Sequence, residues 1–160
     1  MTDEHEYFRW MIENGQIRVG ARAIIVNPSA DRFLVEKNLG VRDQYMNFIG
    51  GGVELGETLE ACLEREINEE TNARVIKMDH LFFVENIITF KGEIVHGLGH
   101  YFTVNLDRED IRPTSDNVEF HWFSTEELAD IDLRPHVVRD QIVKGTYQSV
   151  HRLISRDFID

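Results

Sequence analysis

Residues 50–73, GGGVELGETLEACLEREINEETNA, constrain this chain more than any other stretch of it. Three glycines and a short acidic turn lead into a predicted helix. At about 100° per residue, one face of that helix is an apolar stripe, as expected for packing against a core. The stripe consists of Leu59, Cys62, Leu63 and Ile67. Glu66 and Glu70 fall within the same stripe, and Glu69 lies at its edge.

Carboxylates on an inward-facing stripe are unfavourable. A buried carboxylate costs several kcal/mol unless it is paired, protonated or bound to a metal. Like charges three and four residues apart on a helix also repel one another. Two interpretations follow: either this helix is half solvated, or its glutamates share a cation.

Composition limits the class of protein. The 160 residues are 42% hydrophobic and 29% charged, which predicts one globular domain over 1–160 with a substantial core. A net charge of −12 argues against nucleic acid as a partner, because phosphate-backbone binding needs basic patches. An acidic protein that acts on phosphates instead needs divalent cations.

The expected compartment is the cytoplasm. The single cysteine, Cys62, allows no intrachain disulfide, which favours a reducing environment. The first residues, MTDEHEYFRW, lack the apolar core of a signal peptide. Since no apolar run approaches the length of a membrane span, we expect no membrane association.

Strand and helix patterns alternate along the chain. Residues 1–7 are expected to be loose, and 8–12 and 17–26 to be strands joined by a turn at Asn14-Gly15. A final helix is expected at about 135–144. Further strands are predicted at 32–37, 74–90, 92–106 and 119–123. These elements indicate an α/β domain with a mixed, partly antiparallel sheet.

The predicted helix has local signals for a binding site. The Thr58 hydroxyl can cap its N-terminus, and Arg65 is spaced to hold Glu69 one turn away. The glycines before it are expected to form a loop whose backbone approaches a ligand closely. Carboxylate and carbonyl oxygens of this kind suit Mg2+ or Mn2+.

Gly51, Glu57 and the run Arg65-Glu66-Ile67-Asn68-Glu69-Glu70 together resemble the Nudix box of the MutT-like Nudix hydrolases. Two positions depart from that family's pattern. Asn72 stands where the family has Gly, and it can still end the helix because Asn tolerates the left-handed conformation. Ile49 stands where the family often has Pro, and this removes no ligand.

The resemblance implies a fold, a reaction and a set of roles. The fold would be an α/β/α sandwich, and the reaction an attack of water on phosphorus in a small-molecule substrate, a nucleoside diphosphate derivative (NDP-X) or nucleoside triphosphate, with Mg2+ or Mn2+. Arg65 would orient the glutamates, and Glu57 would bind metal through water or brace the loop. Gly51 and Gly52 would approach the substrate. The metal ligands would be Glu66, Glu69, Glu70 and the Gly50 carbonyl, and one glutamate would deprotonate the water.

Candidates outside the box are weaker. Glu119 and Glu93 are candidate catalytic bases, although a surface carboxylate is the commoner role for each. His96 and His100 share one face of a predicted strand, where polar or substrate-facing roles outweigh a zinc site because no third ligand is evident. Gly97 and Gly99, on the other face, leave room for a ligand or a packed helix.

Two functions remain open at this stage. The first is the hydrolase, which the intact set of box carboxylates favours. The second is a catalytically silent domain that binds or senses nucleotides, which would be expected to lose those carboxylates. RNA cap removal fits the same chemistry but not the acidic charge. No signature selects one nucleotide, and the resemblance leaves a homodimer open.

Overall fold

The computed structural model describes residues 4–40 and 45–159, and within these it contains a curved, ten-stranded mixed sheet with helices on both faces. The helices are α1 (Glu4–Asn14), α2 (Leu59–Glu70), α3 (Thr125–Leu128) and α4 (His136–Val143). The strands are β1 (Ile17–Val26), β2 (Arg32–Asn38), β3 (Met46–Asn47), β4 (Gly50–Gly52), β5 (Val75–Phe90), β6 (Glu93–Leu106), β7 (Val118–Ser124), β8 (Leu133–Arg134), β9 (Arg152–Ser155) and β10 (Phe158–Ile159). No helix in the described ranges is long and apolar enough to cross a membrane.

Strand β1 lies at the centre of the sheet. It runs parallel to β6, from the pair Ile17 and His96 to the pair Ile25 and Val104. On its other side, its first half pairs with β4 and its second half with β2, both antiparallel. The β-branched, largely apolar sequence of β1 suits this position, because both faces of a central strand are covered.

The two faces of the sheet carry separate cores. Ala21 and Ala23 of β1 point towards α2, whereas Ile24, the next residue along the strand, points towards α3 and α4. The α2 side buries Cys62, Leu63 and Ile67 against the sheet, and the other side buries Leu128, Val138 and Ile142. Helices on both faces give the predicted α/β/α sandwich, which is confirmed.

The N-terminal segment was predicted wrongly. Residues 4–14 form α1 instead of a loose end and a strand, while 1–3 lie outside the described residues. Phe8 and Met11 are buried on one side of α1, and Phe8 packs edge-on against Phe90 at 5.5 Å between ring centroids. Asn14-Gly15 does not make a hairpin turn. Gly15 adopts φ +57° and ends the helix, a second common use of a left-handed glycine.

Two further predictions near α2 are corrected. Gly50–Gly52 is a short strand paired with β1, because a backbone without side chains can lie close to β1. The helix ends at Glu70, and Thr71 is extended (φ −131°, ψ 165°), so Asn72 needs no left-handed conformation. The Asn72 side chain instead binds the Asp110 carbonyl and the Arg112 N–H, at 3.0 and 2.9 Å. At the C-terminal side, α4 lies within the predicted range 135–144.

Candidate active site

Arg65 lies at the centre of the polar groups on α2. Its Nε and Nη2 donate to the two carboxylate oxygens of Glu57, at 2.7 and 3.1 Å. Its Nη1 donates to Glu66 at 2.8 Å and to Glu69 at 3.4 Å, and Nη2 also reaches the Gly52 carbonyl at 3.1 Å. One guanidinium therefore fixes the loop, the helix and the end of β4 relative to one another.

Glu57 braces the loop before α2. Besides Arg65, it accepts a hydrogen bond from the Glu54 N–H at 3.0 Å. The hydrogen bonds from Arg65 and then from the backbone lower the pKa of Glu57 to about 2. Of the two roles expected for Glu57, the contacts present are those of the brace.

Glu66 lies directly over Gly51. A Cβ atom added to Gly51 would be 2.1 Å from Glu66 Oε1, far inside contact distance. The side chain of Glu66 is only 13% exposed. Position 51 therefore needs glycine so that the carboxylate can approach the backbone of β4.

The Gly50 carbonyl is held by an arginine that the sequence did not single out. Arg22 Nη1, from β1, donates to it at 2.8 Å. Gly50 itself has φ +149°, and a Cβ there would lie 2.1 Å from the Ala21 carbonyl oxygen. The carbonyl thus takes its position from the β1–β4 pairing, next to a guanidinium.

Glu70 is the most perturbed carboxyl group of the cluster. Its Oε2 is shielded from solvent and has no hydrogen-bond partner in the structure. Burial, followed by the neighbouring charges of Glu36 and Glu66, raises the pKa of Glu70 to about 8. A buried, orphaned carboxylate oxygen among other carboxylates is a cation-binding feature.

The arrangement fits a hard cation, although the carboxylates are not gathered into a finished site. Among residues 4–40 and 45–159, no three His, Cys, Asp or Glu side chains converge closely enough to hold a metal ion as they stand. Arg65 and Arg22 instead contact Glu66, Glu69 and the Gly50 carbonyl. These oxygens nevertheless lie on the C-terminal half of α2 or on the neighbouring strand β4, and they are of the type that Mg2+ and Mn2+ prefer.

Glu119 and Glu93 are placed away from this cluster. Phe120 and Trp122 of β7 pack on the α2 side, so the alternation of the strand turns Glu119 to the opposite face. There it contacts His121 at 3.1 Å. Glu93 starts β6, and about 20 Å of extended strand separates it from Gly99, which lies level with β4 across β1. The structure brings neither residue to the box.

Glu36 is a carboxylate from outside the box that does lie beside the cluster. Leu34 of β2 packs on the α2 side, and alternation puts Glu36 on that same face, where its charge acts on Glu70. The two-residue period of a strand predicts that Leu34 and Glu36 lie on the same face of β2. The sequence does not show that β2 ends beside the last turn of α2, so it could not place Glu36 near Glu70.

The remaining candidates fall into simpler roles. Burial raises the pKa of the Cys62 thiol to about 11, which leaves it a small buried group and not a nucleophile. His100 contacts His80 at 3.1 Å, whereas about 13 Å of strand separates it from His96. Gly97 and Gly99 border a cleft on the face of the sheet opposite α2.

Both a family model and solved structures match this chain. The family model described as the NUDIX domain matches residues 16–142. No curated protein matches the sequence.

Several solved structures share the fold. The MutT NUDIX hydrolase of Burkholderia pseudomallei is 23% identical, with a TM-score of 0.67 over 84% of this chain and 99% of that one. The mutator MutT protein of Bacillus halodurans is 20% identical, with a TM-score of 0.66 over 88% and 89%. The MutT protein of Methanosarcina mazei is 20% identical, with a TM-score of 0.65 over 80% and 91%.

Proposed function

This chain belongs to the NUDIX domain family and is a Nudix hydrolase, and on that premise we propose that it cleaves a pyrophosphate bond with the help of a divalent cation. The substrate class is a nucleoside diphosphate derivative or a nucleoside triphosphate. Water attacks phosphorus, and the bond to the bridging oxygen breaks.

The observation that carries the proposal is the orphaned oxygen of Glu70. Its Oε2 is buried without a partner, and the nearest charged neighbours on its own helix are also carboxylates. Folding creates this unfavourable group, and the nearby charge of Arg22 does not fully relieve it. A bound cation would, because it offsets the repulsion and supplies the missing partner.

The residues fitted to hold Mg2+ or Mn2+ lie in the C-terminal half of α2 and at the start of β4. They are Glu66, Glu69, Glu70 and the Gly50 carbonyl. When bound, such a cation stabilises charge on the phosphoryl oxygens and lowers the pKa of a bound water.

The side chains of the site divide the remaining work. Arg65 holds Glu66 and Glu69 in fixed orientations through its hydrogen bonds. One of the glutamates of the cluster accepts the proton of the attacking water. Arg22 faces both the Gly50 carbonyl and the cleft, where it can neutralise a substrate phosphate.

The direct test is turnover of a nucleotide panel. NDP-sugars, dinucleotides and canonical and oxidised nucleoside triphosphates would be assayed with Mg2+, with Mn2+ and with EDTA. We expect cation-dependent release of phosphate, pyrophosphate or a mononucleotide. Glu66→Gln and Glu70→Gln should abolish it, whereas Glu64→Gln, on the exposed face of the same helix, should not.

The same panel also tests the second function, a catalytically silent nucleotide-binding domain. If a binding measurement detects nucleotides but no cation-dependent product forms, the silent domain is favoured. Full activity of both Glu66→Gln and Glu70→Gln would contradict the proposed site.

A further inference from the structure

The segment that joins β6 to β7, residues 107–117, is docked against the C-terminal end of α2. The Thr114 hydroxyl donates to the Glu69 carbonyl oxygen at 2.6 Å. The Thr114 N–H donates to the Glu70 carbonyl oxygen at 3.0 Å. Thr114 thus holds the backbone of two residues whose side chains are candidate metal ligands.

Carbonyl groups in the last turn of a helix have no partner within the helix itself and depend on other groups. In α2, Thr71 satisfies the Ile67 carbonyl, with its N–H at 3.0 Å and its hydroxyl at 2.8 Å. The Glu69 and Glu70 carbonyls receive their partner from Thr114, which follows Glu69 by 45 residues. The end of this helix is therefore completed by a distant part of the chain.

Electrostatics act against this end of α2. The C-terminus of a helix is the negative end of its dipole and favours cations. The last turn of α2 instead contains Glu69 and Glu70 and no basic residue. Glu66 adds a carboxyl group one turn before Glu70, and Arg65 offsets only part of this charge, through Glu66 and Glu69. A last turn of this composition frays unless a neighbouring segment holds it.

Asn72 fixes the segment beside Thr114. Its side chain donates to the Asp110 carbonyl at 3.0 Å and accepts from the Arg112 N–H at 2.9 Å. Its own N–H donates to the Arg112 carbonyl at 3.1 Å. These contacts, and the main-chain bond from Thr114 to Glu70, do not depend on the Thr114 side chain. The hydroxyl can therefore be removed while the segment stays docked.

The contacts of Thr114 with the helix are neutral. The arginines of the segment, Arg108 and Arg112, pair with Asp107 and Asp110 of the same segment, at 3.2 and 2.6 Å. A hydroxyl that binds a main-chain carbonyl fixes the backbone of the last turn and occupies neither carboxylate. Both carboxylates stay available to a cation.

We propose that Thr114 is a positioning residue of the active site, which keeps the last turn of α2 wound and so preorganises the Glu69 and Glu70 carboxylates for a divalent cation. The inference rests on the proposed function and deepens it, because it assigns part of the affinity for the cation to a residue outside the box. Without the Thr114 hydroxyl, the cation must also rewind the turn, which weakens its binding.

The test removes the hydroxyl and keeps the size of the side chain. Thr114→Val and Thr114→Ser would be compared with wild type in Mn2+ titrations of the nucleotide-free protein, followed by the EPR signal of free Mn2+. We expect Thr114→Val to weaken Mn2+ binding about fivefold, as for the loss of one hydrogen bond, and Thr114→Ser, which keeps the donor, to stay within about twofold of wild type. The Mg2+ concentration for half-maximal turnover should rise by the same factor in Thr114→Val, while kcat at saturating Mg2+ changes less than about twofold.

Amide hydrogen exchange measures the last turn directly. The Thr71 N–H, which binds the Ile67 carbonyl at 3.0 Å, reports on the end of α2. The Cys62 N–H, which binds the Thr58 carbonyl at 2.9 Å, reports on its start. In metal-free Thr114→Val, we expect exchange at Thr71 to be about fivefold faster and exchange at Cys62 to be unchanged. Mg2+ should slow exchange at Thr71 towards the wild-type rate.

Thr146 provides the matched control. It is exposed, like Thr114, and its hydroxyl donates to Gln141 Oε1 at 2.6 Å beside the end of α4, on the opposite face of the sheet. Thr146→Val should leave the affinity for Mn2+ unchanged. A loss of affinity in Thr146→Val or in Thr114→Ser equal to that in Thr114→Val would show that the Thr114 hydroxyl has no specific role, and would overturn the proposal.

Other outcomes separate this inference from the proposed function. An affinity of Thr114→Val for Mn2+ within about twofold of wild type overturns the inference. Exchange that accelerates equally at Cys62 and Thr71 overturns it as well, because the variant would then be destabilised throughout α2. Binding of Mn2+ that depends on Thr114 but leads to no turnover contradicts the proposed hydrolysis alone. Turnover with an unchanged Mg2+ requirement in Thr114→Val contradicts the role of Thr114 alone.

Discussion

Arg65 holds Glu57 with two parallel hydrogen bonds, Nε to Oε1 at 2.7 Å and Nη2 to Oε2 at 3.1 Å, while its third nitrogen holds Glu66 at 2.8 Å. The pKa of Arg65 is raised further above its usual range by these partners. The planar guanidinium thus connects the loop brace to the candidate metal ligands, a task that depends on its fork geometry.

Arg65→Lys should keep the charge and lose the geometry. We expect kcat to fall about 100-fold, because the glutamates lose their fixed orientation. The KM should change less than kcat, which steady-state kinetics would show. Arg74→Lys, at an exposed position, is the control, and a kcat of Arg65→Lys within twofold of wild type would contradict the orienting role.

Gly51→Ala should inactivate the enzyme without unfolding it. The added Cβ meets the carboxylate at the far end of the Glu66 side chain, at 2.1 Å, and the side chain can turn away where the backbone cannot. We expect Glu66 to be displaced, with activity down about 100-fold and Tm within a few degrees of wild type.

The neighbouring substitution, Gly50→Ala, should act on the fold. Its Cβ would meet the backbone oxygen of Ala21 at 2.1 Å, and its φ of +149° disfavours a side chain. Thermal unfolding and activity measured on both variants distinguish the two effects. A large loss of Tm in Gly51→Ala would disprove the assignment of its effect to Glu66.

Glu36→Gln should weaken the site, and Glu119→Gln should not. Glu36 contributes to the raised pKa of Glu70, whereas Glu119 lies on the other face of the sheet. Removing the charge of Glu36 should raise the Mg2+ concentration needed for half-maximal activity about tenfold. Metal titrations of both variants test this, and equal effects would show that the assignment to Glu36 is wrong.

The metal-free protein should lose stability as the pH rises. The pKa of Glu70 is raised from 4.5 to about 8 in the folded state, so the unfolded state releases this proton first. The contribution is fully present below about pH 4.5 and is lost as the pH rises through 8. Allowing for partial solvent screening, we expect a loss of about 2 kcal/mol in the free energy of unfolding.

Urea unfolding in EDTA at pH 5.5 and pH 8.5 measures this loss. Glu70→Gln has no proton to release and should show a smaller pH dependence than wild type. Mg2+ added at pH 8.5 should restore stability to wild type alone. A wild-type protein and Glu70→Gln with the same pH profile would contradict the assignment.

Helix caps were predictable from the sequence, because a Ser or Thr side chain just before a helix has one common structural role. Thr58 caps α2 as predicted, accepting from the Ala61 N–H at 3.1 Å, and Ser124 and Glu127 form a capping box at the start of α3. The same local logic failed at Asn14-Gly15, since a left-handed glycine serves both a hairpin turn and a helix end. The burial of Phe8 and Met11, three residues apart, fits one face of a helix and so distinguishes the helix end from the hairpin turn.

The composition of the site depended on contacts between distant segments. The spacing from Gly51 to Glu70 identifies the box, but it contains no information about β1, which supplies Arg22, or β2, which supplies Glu36. The sequence offered Glu119 only as a candidate catalytic base. The alternation of β7 puts it on the opposite face, a fact that required knowing which side of the strand α2 covers.

The parallel pairing of β1 with β6 has a consequence for how this protein assembles. Ile17 pairs with His96, so the centre of the sheet closes a loop of roughly 80 residues, whereas β5 and β6 meet through a tight turn. We expect the β5–β6 hairpin to form early and β1 to dock onto it late, in a slow, topology-limited step. Until then the edge of β1 that later pairs with β6 is unpaired, and we expect this apolar strand to be the segment most prone to aggregation during refolding.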